Sequence, residues 1–272
     1  NLPSFPYIEE QAFGAYMGLF VIAIWTTRRH LLKVLKRFIG REDKSYDSGE
    51  PVPYRWAVLG LIGALAYLVG FCISAGMSVW VSILFFIIYY AISVSICRMR
   101  AELGSPVHDL HFIGPDQTLP KMLGTRRLGP ANLTMFAYLY FFNRAYRGHP
   151  MPHQLEGFKL AERTGMNNRR LFIAMTIAVP LVSLSTFWAH LHISYDIGAP
   201  VWFAWEPFNR LQRLLSAPQP PDYGSSVASV VGFVTTLLLM FMRMKFFWWP
   251  FHPAGYAVSS SWSMNVFWFS IM

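Results

Sequence analysis

Long apolar runs that hold no lysine, arginine or acidic residue alternate along this chain with basic stretches broken by proline and glycine. The runs cover residues 11–27, 56–76, 77–97, 171–191 (Pro180 at the middle), 226–242 and 255–272. A bilayer core of ~30 Å takes ~20 mainly apolar residues as a helix, so each run reads as a span. The second and third follow one another almost at once, as a tight helical hairpin does. The pattern predicts an all-α membrane protein, a bundle of about six transmembrane helices, with re-entrant or interfacial segments in the 98–170 stretch. The last run ends inside its apolar stretch, so the 272 residues are expected to belong to a longer polypeptide.

Composition sharpens this picture. The chain is 54% hydrophobic, 17% aromatic and only 14% charged, against about 25% charged in an ordinary soluble domain. A net charge of +9 could suggest nucleic acid, but its distribution says otherwise. With the N-terminus outside, six crossings put residues 28–55, 98–170 and 243–254 on one face. Those stretches hold 8, 11 and 2 of the Lys and Arg residues, 21 of 23, leaving Arg210 and Arg213 opposite. All 14 acidic residues lie outside the runs. That is a positive-inside pattern, weighted less for the long 98–170 stretch. The expected setting is a membrane with the basic stretches on its cytoplasmic face and the lipid bilayer as partner, and no nucleic acid. Cys72 and Cys97 sit in apolar runs without metal or haem spacing, and read as small buried hydrophobes.

Between the runs lie smaller signals. RRHLLKVLKRF (28–38) has an apolar face and a basic one, and reads as an interfacial anchor. Phe246, Phe247, Trp248, Trp249 and Phe251 read as an aromatic belt. Gly60, Gly63, Ala64 and Gly70 would let the second span pack closely against a neighbour. A half-buried interfacial helix is expected near 208–215, whereas His190 and His192 diverge on either a helix or a strand.

The 98–170 stretch carries the candidate chemistry. Eight glycines and prolines between Gly104 and Pro130 break it into short pieces. Such backbone is tolerated at membrane depth where it is buried in protein or lines a cavity, and carriers build discontinuous helices this way at substrate sites. A plain cytoplasmic loop fits equally. Arg98 and Glu102 are spaced for an i,i+4 ion pair, with Arg100 between them. Residues 130–146 read as a re-entrant or interfacial helix. His108 and His111 flank Asp109 and could share a helical turn; with His149 or His153 they would form a three-ligand set if the loops fold together, and otherwise they are hydrogen-bonding histidines at the rim. Pro150 and Pro152 hold the chain extended between His149 and His153, at ~3.1 Å per residue, too far apart for one metal. Pro152 then starts a helix with Leu155, Phe158 and Ala161 on one stripe, Gly165 ends it, and Asn167 or Asn168 caps the next span. The substrate path so outlined is Arg98, Arg100, Glu102, His108, His111, His149, His153 and Glu156. No catalytic residue and no metal ligand is assigned, and no cofactor is specified.

RMRAELGSP (98–106) and RGHPMPHQLEGFKLAER (147–163) resemble an uncharacterised family of large bacterial membrane proteins, itself similar to the oligopeptide transporter superfamily. The resemblance spans residues 77–272. It implies a helical bundle with broken helices and, by distant analogy, a carrier of peptides or metal chelates; it transfers no functional residue. Two functions are therefore expected as alternatives: a transporter-like carrier or a fragment of one, and a non-catalytic structural or accessory subunit packed against other membrane subunits or pigments. A membrane metalloenzyme would need all four loop histidines to converge. No nucleophile or acid–base pair supports an enzyme.

Overall fold

The computed structural model describes residues 5–41, 47, 49–104, 110–146, 148–198, 202–259 and 264. Among them the chain is all-helical, its one extended pairing being an isolated antiparallel bridge between His111 and Ala145. The helices are α1 (Ile8–Phe38), α2 (Tyr54–Ser74), α3 (Val79–Leu103), α4 (Pro115–Leu123), α5 (Thr125–Tyr138), α6 (Tyr140–Asn143), α7 (Pro150–Thr164), α8 (Asn168–Ile197), α9 (Trp202–Ser216), α10 (Tyr223–Lys245) and α11 (Pro253–Val258).

Four described helices, α2, α3, α8 and α10, are long and apolar enough to cross a membrane. They take up four of the six runs. The run at 11–27 lies in α1, which has the length, but Gln11, Gly14, Gly18, Thr26 and Thr27 dilute its apolar character and it is not among the four. Of the run at 255–272, the start falls in α11, and residues 260–263 and 265–272 lie outside the described residues. The basic amphipathic stretch 28–38 is the final part of α1, not a helix of its own.

Two compact units divide the chain. One comprises Asn1–Arg28, Tyr67–Pro152 and Arg210–Met272; the other comprises Arg29–Ala66 and His153–Asn209. The first holds the core, built on α3 because α3 is apolar all round. Val81, Phe85, Ile92 and Ile96 are almost fully buried there, with Phe136 stacked on Phe85 at 5.5 Å. Ser95 Oγ donates to the Tyr16 carbonyl at 2.7 Å, tying α3 to α1. Close approach in this unit comes from α1 and α10. A Cβ on Gly14 would lie 1.8 Å from the Ser229 carbonyl oxygen, and one on Gly232 would lie 2.0 Å from that of Gln11. The small residues of α2 play no such part: a Cβ on Gly60, Gly63 or Gly70 would meet open space.

Between α3 and α7 the chain makes an excursion. It leaves α3 at Gly104, beside the C-terminal end marked by Arg98 and Glu102. At residues 121–132 it lies at the N-terminal ends of three helices. Lys121 Nζ meets Glu10 of α1 at 2.7 Å, the Lys121 carbonyl accepts from Asp222 N before α10 at 2.8 Å, and Asn132 caps α3. Ser78, the residue before α3, makes no side-chain cap; its N–H donates to Asn132 Oδ1 at 2.7 Å instead. By Tyr146 and His149 the chain is back beside Tyr89 in the middle of α3. The excursion is built from α4, α5 and α6 because no longer helix is possible here: Pro115 and Pro120 sit in α4, and Gly129 (φ +78°) with Pro130 breaks α5.

Helix α7 starts at Pro150, two residues before the expected Pro152, and passes from His153 onward into the second unit, where Gly165 (φ +70°) ends it as expected. Asn167 is the cap of α8, its side chain accepting from the N–H groups of Arg169 and Arg170. No described residue of α8 is buried.

Candidate functional site

A charged cluster is buried inside the excursion. Pro115 opens α4 at the first helical position, where its missing N–H costs nothing, and the next residue, Asp116, points its carboxylate inward. That carboxylate is 1% exposed. It accepts from Asn143 Nδ2 at the end of α6 and from Arg210 Nη2 of α9. Gly114 makes room, since a Cβ there would lie 2.5 Å from the Asn143 amide nitrogen. A buried carboxylate without such partners would be strongly destabilising, so the Asn143 and Arg210 contacts are what keep it in place.

Aromatic rings surround the pair. The Arg210 guanidinium stands 5.4 Å from the ring centroid of Tyr140, a cation–π contact, and the Tyr140 hydroxyl accepts from Arg144 Nε at 3.2 Å. The Tyr146 hydroxyl donates to Asn143 Oδ1 at 3.3 Å. Tyr146 stacks on Tyr89 at 5.3 Å, and His149 lies against both rings. His149 Nδ1 accepts from Met151 N at 3.2 Å and so caps the start of α7. The arrangement offers a negative and a positive group beside an aromatic wall.

The sequence-derived candidates fall in three places. Arg98 and Glu102 form their i,i+4 ion pair at 2.8 Å, extended by Arg98 Nη1 to Thr26 Oγ1 at 2.9 Å and by His252 Nε2, 3.9 Å from Glu102; Arg100 is half-buried in the same last turn of α3. His111 is buried and bridges to Ala145, so that it and His149 flank the Asn143–Tyr146 stretch. His153 and Glu156 are exposed on α7, 4.0 Å apart, in the other unit. His108, with Asp109, lies outside the described residues. Among the described residues no three His, Cys, Asp or Glu side chains gather as metal ligands.

Sequence reasoning passed over Asp116, Tyr140, Asn143, Tyr146 and Arg210. Two signals were present. Asp116 directly follows a Gly-Pro break in the stretch read as able to enter the membrane, and Arg210 is one of only two basic residues left off the basic face.

Residues 1–272 match the family described as Family of unknown function (DUF6785), and the chain belongs to that family. The match covers the whole chain, beyond the 77–272 region that carried the resemblance, and it brings no link to the oligopeptide transporter superfamily. No curated protein and no solved structure matches the chain.

Proposed function

We propose that this integral membrane protein is a transporter-like carrier, resembling the oligopeptide transporters, or part of one. In this reading residues 110–146 form a re-entrant segment, and the Asp116–Arg210 pair is the substrate or coupling centre. The carrying observation is a carboxylate 1% exposed and paired to an arginine on a broken, three-helix excursion. Ionisable groups at membrane depth face bundle interiors and mark transport paths and proton relays. The absence of acidic residues from the apolar runs is thereby answered, because the excursion supplies the carboxylate instead of a span. Arg98, Glu102, His111 and His149 stand at the cytoplasmic approach to the pair, in a bacterial cytoplasmic membrane with the N-terminus outside. No catalytic role is assigned.

The test is uptake of a mixed di- and tripeptide pool, and of ferric chelates, into proteoliposomes with an imposed proton gradient. Uptake that vanishes in Asp116→Asn, with the variant still monodisperse, supports the carrier. Uptake indifferent to Asp116→Asn and Arg210→Met removes the pair from the mechanism. A second reading, an accessory subunit, rests on α8, a long apolar helix with no described residue buried; stoichiometric co-purification of partner chains, without any uptake, would select it.

A further inference from the structure

The second unit holds a cleft of about 740 Å³ where two apolar helices begin, α2 at Tyr54 and α8 at Asn168. Volumes of this order suit small-molecule sites. Residues 49–53, before α2, form one wall, and the first turns of α8 form the other.

Its charges are partly spent within the protein. Arg37 Nε donates to Asp47 Oδ2 at 3.1 Å, and Tyr54 N adds a second bond at 3.2 Å. The Arg37 bond above all holds the Asp47 carboxyl below its ordinary range, against the opposing effect of burial. What remains is one cation and two acceptors. The Arg169 guanidinium has no partner among the described residues. Glu50 gives only Oε1 to a protein donor, the Tyr54 hydroxyl at 2.8 Å. Asn168 Oδ1 is buried and has no donor among the described residues. A buried acceptor left without a donor is costly, so the cleft is built for something that brings one. Phe172 and Ile173 make the wall apolar further along α8.

We infer that this cleft binds a phosphodiester bearing a primary ammonium, the chemistry of a phosphoethanolamine headgroup. The phosphate meets Arg169. The ammonium, two carbons away, donates to Glu50 and Asn168 Oδ1. The glycerol and first methylenes lie on Phe172 and Ile173. Both helices bordering the cleft are long and apolar enough to cross a membrane, which sets the cleft at headgroup level.

Native mass spectrometry of the full chain in detergent tests this, with phosphatidylethanolamine, phosphatidylcholine and phosphatidylglycerol titrated separately. Phosphatidylcholine keeps the phosphate but has no N–H, and phosphatidylglycerol has no ammonium. Each is expected to bind at least about tenfold more weakly than phosphatidylethanolamine, the loss of one charge-assisted hydrogen bond. Glu50→Gln should bring the three lipids together, and Arg169→Ala should weaken all of them; both side chains are exposed, so the fold is retained. Soluble glycerophosphoethanolamine identifies the source: displacement of the lipid by it means that the headgroup alone is recognised, and lipid binding without displacement means that the acyl end is needed. Equal binding of the three lipids, or ethanolamine-lipid binding unchanged in both variants, overturns the proposal.

Discussion

Removing Arg210 and removing Asp116 are unequal acts, because the two ends of their ion pair differ in burial: the carboxylate is 1% exposed and the guanidinium 22%. Arg210→Met strands a buried carboxylate and should cost about 3–5 kcal/mol. Asp116→Asn leaves a guanidinium that water still reaches and should cost less, about 1–3 kcal/mol. The double variant should fall short of the sum by more than ~0.5 kcal/mol, as residues in contact do. Unfolding in mixed micelles reads all three, and equal single losses that add would show that the pair is not coupled. Asp47 gives a pH prediction. Arg37 lowers its folded pKa, so its stabilisation is present above the ordinary carboxylate range and disappears as pH falls through the lowered value. Acid should therefore loosen the contact between Asp47 and Tyr54, seen as faster amide exchange at Tyr54, whose N–H donates to Asp47 Oδ2. Asp47→Asn should show that faster exchange at neutral pH already.

Helix contact in this protein is decided by which glycines touch backbone. Gly14→Ala and Gly232→Ala both drive a methyl into a carbonyl oxygen, at 1.8 and 2.0 Å, and must part α1 from α10. Overpacking of this kind costs about 1–3 kcal/mol or more. Gly60→Ala and Gly63→Ala, on α2 with nothing within 4 Å, should be neutral or stabilising by up to about 0.5–1 kcal/mol. Thermal denaturation of the four variants separates the pairs; destabilisation by Gly60→Ala would mean that α2 has a close neighbour. The spacing of small residues in α2 looks as suited to packing as that in α1, and the sequence offers nothing to choose between them. The choice lies in which helix another backbone reaches, a tertiary fact.

Contacts within the first unit join groups that the charge partition sets on opposite faces: Lys121 with Glu10, and Asp116 with Arg210. If residues 110–146 re-enter, Arg126 emerges at the face opposite Ala101. In a background without Cys72 and Cys97, Arg126→Cys and Ala101→Cys should react with a membrane-impermeant maleimide from opposite sides of sealed vesicles. Labelling from one side would return the whole stretch to a single face. Four of the six apolar runs were readable as helices because run length marks them, and so were a cap at Asn167 or Asn168, the role Asn167 takes, and the stop at Gly165, since each depends on local backbone. The Gly-Pro break marked the place of Asp116 but not its burial, which is created by Asn143 and Arg210, 27 and 94 positions away. Those 94 positions are also an interval of time. A ribosome adding ~5–20 residues per second leaves Asp116 without its arginine for roughly 5–20 s. Until then the broken segment has no reason to stay buried, so the excursion belongs among the last parts of this protein to settle, after the hairpin beside it is already made.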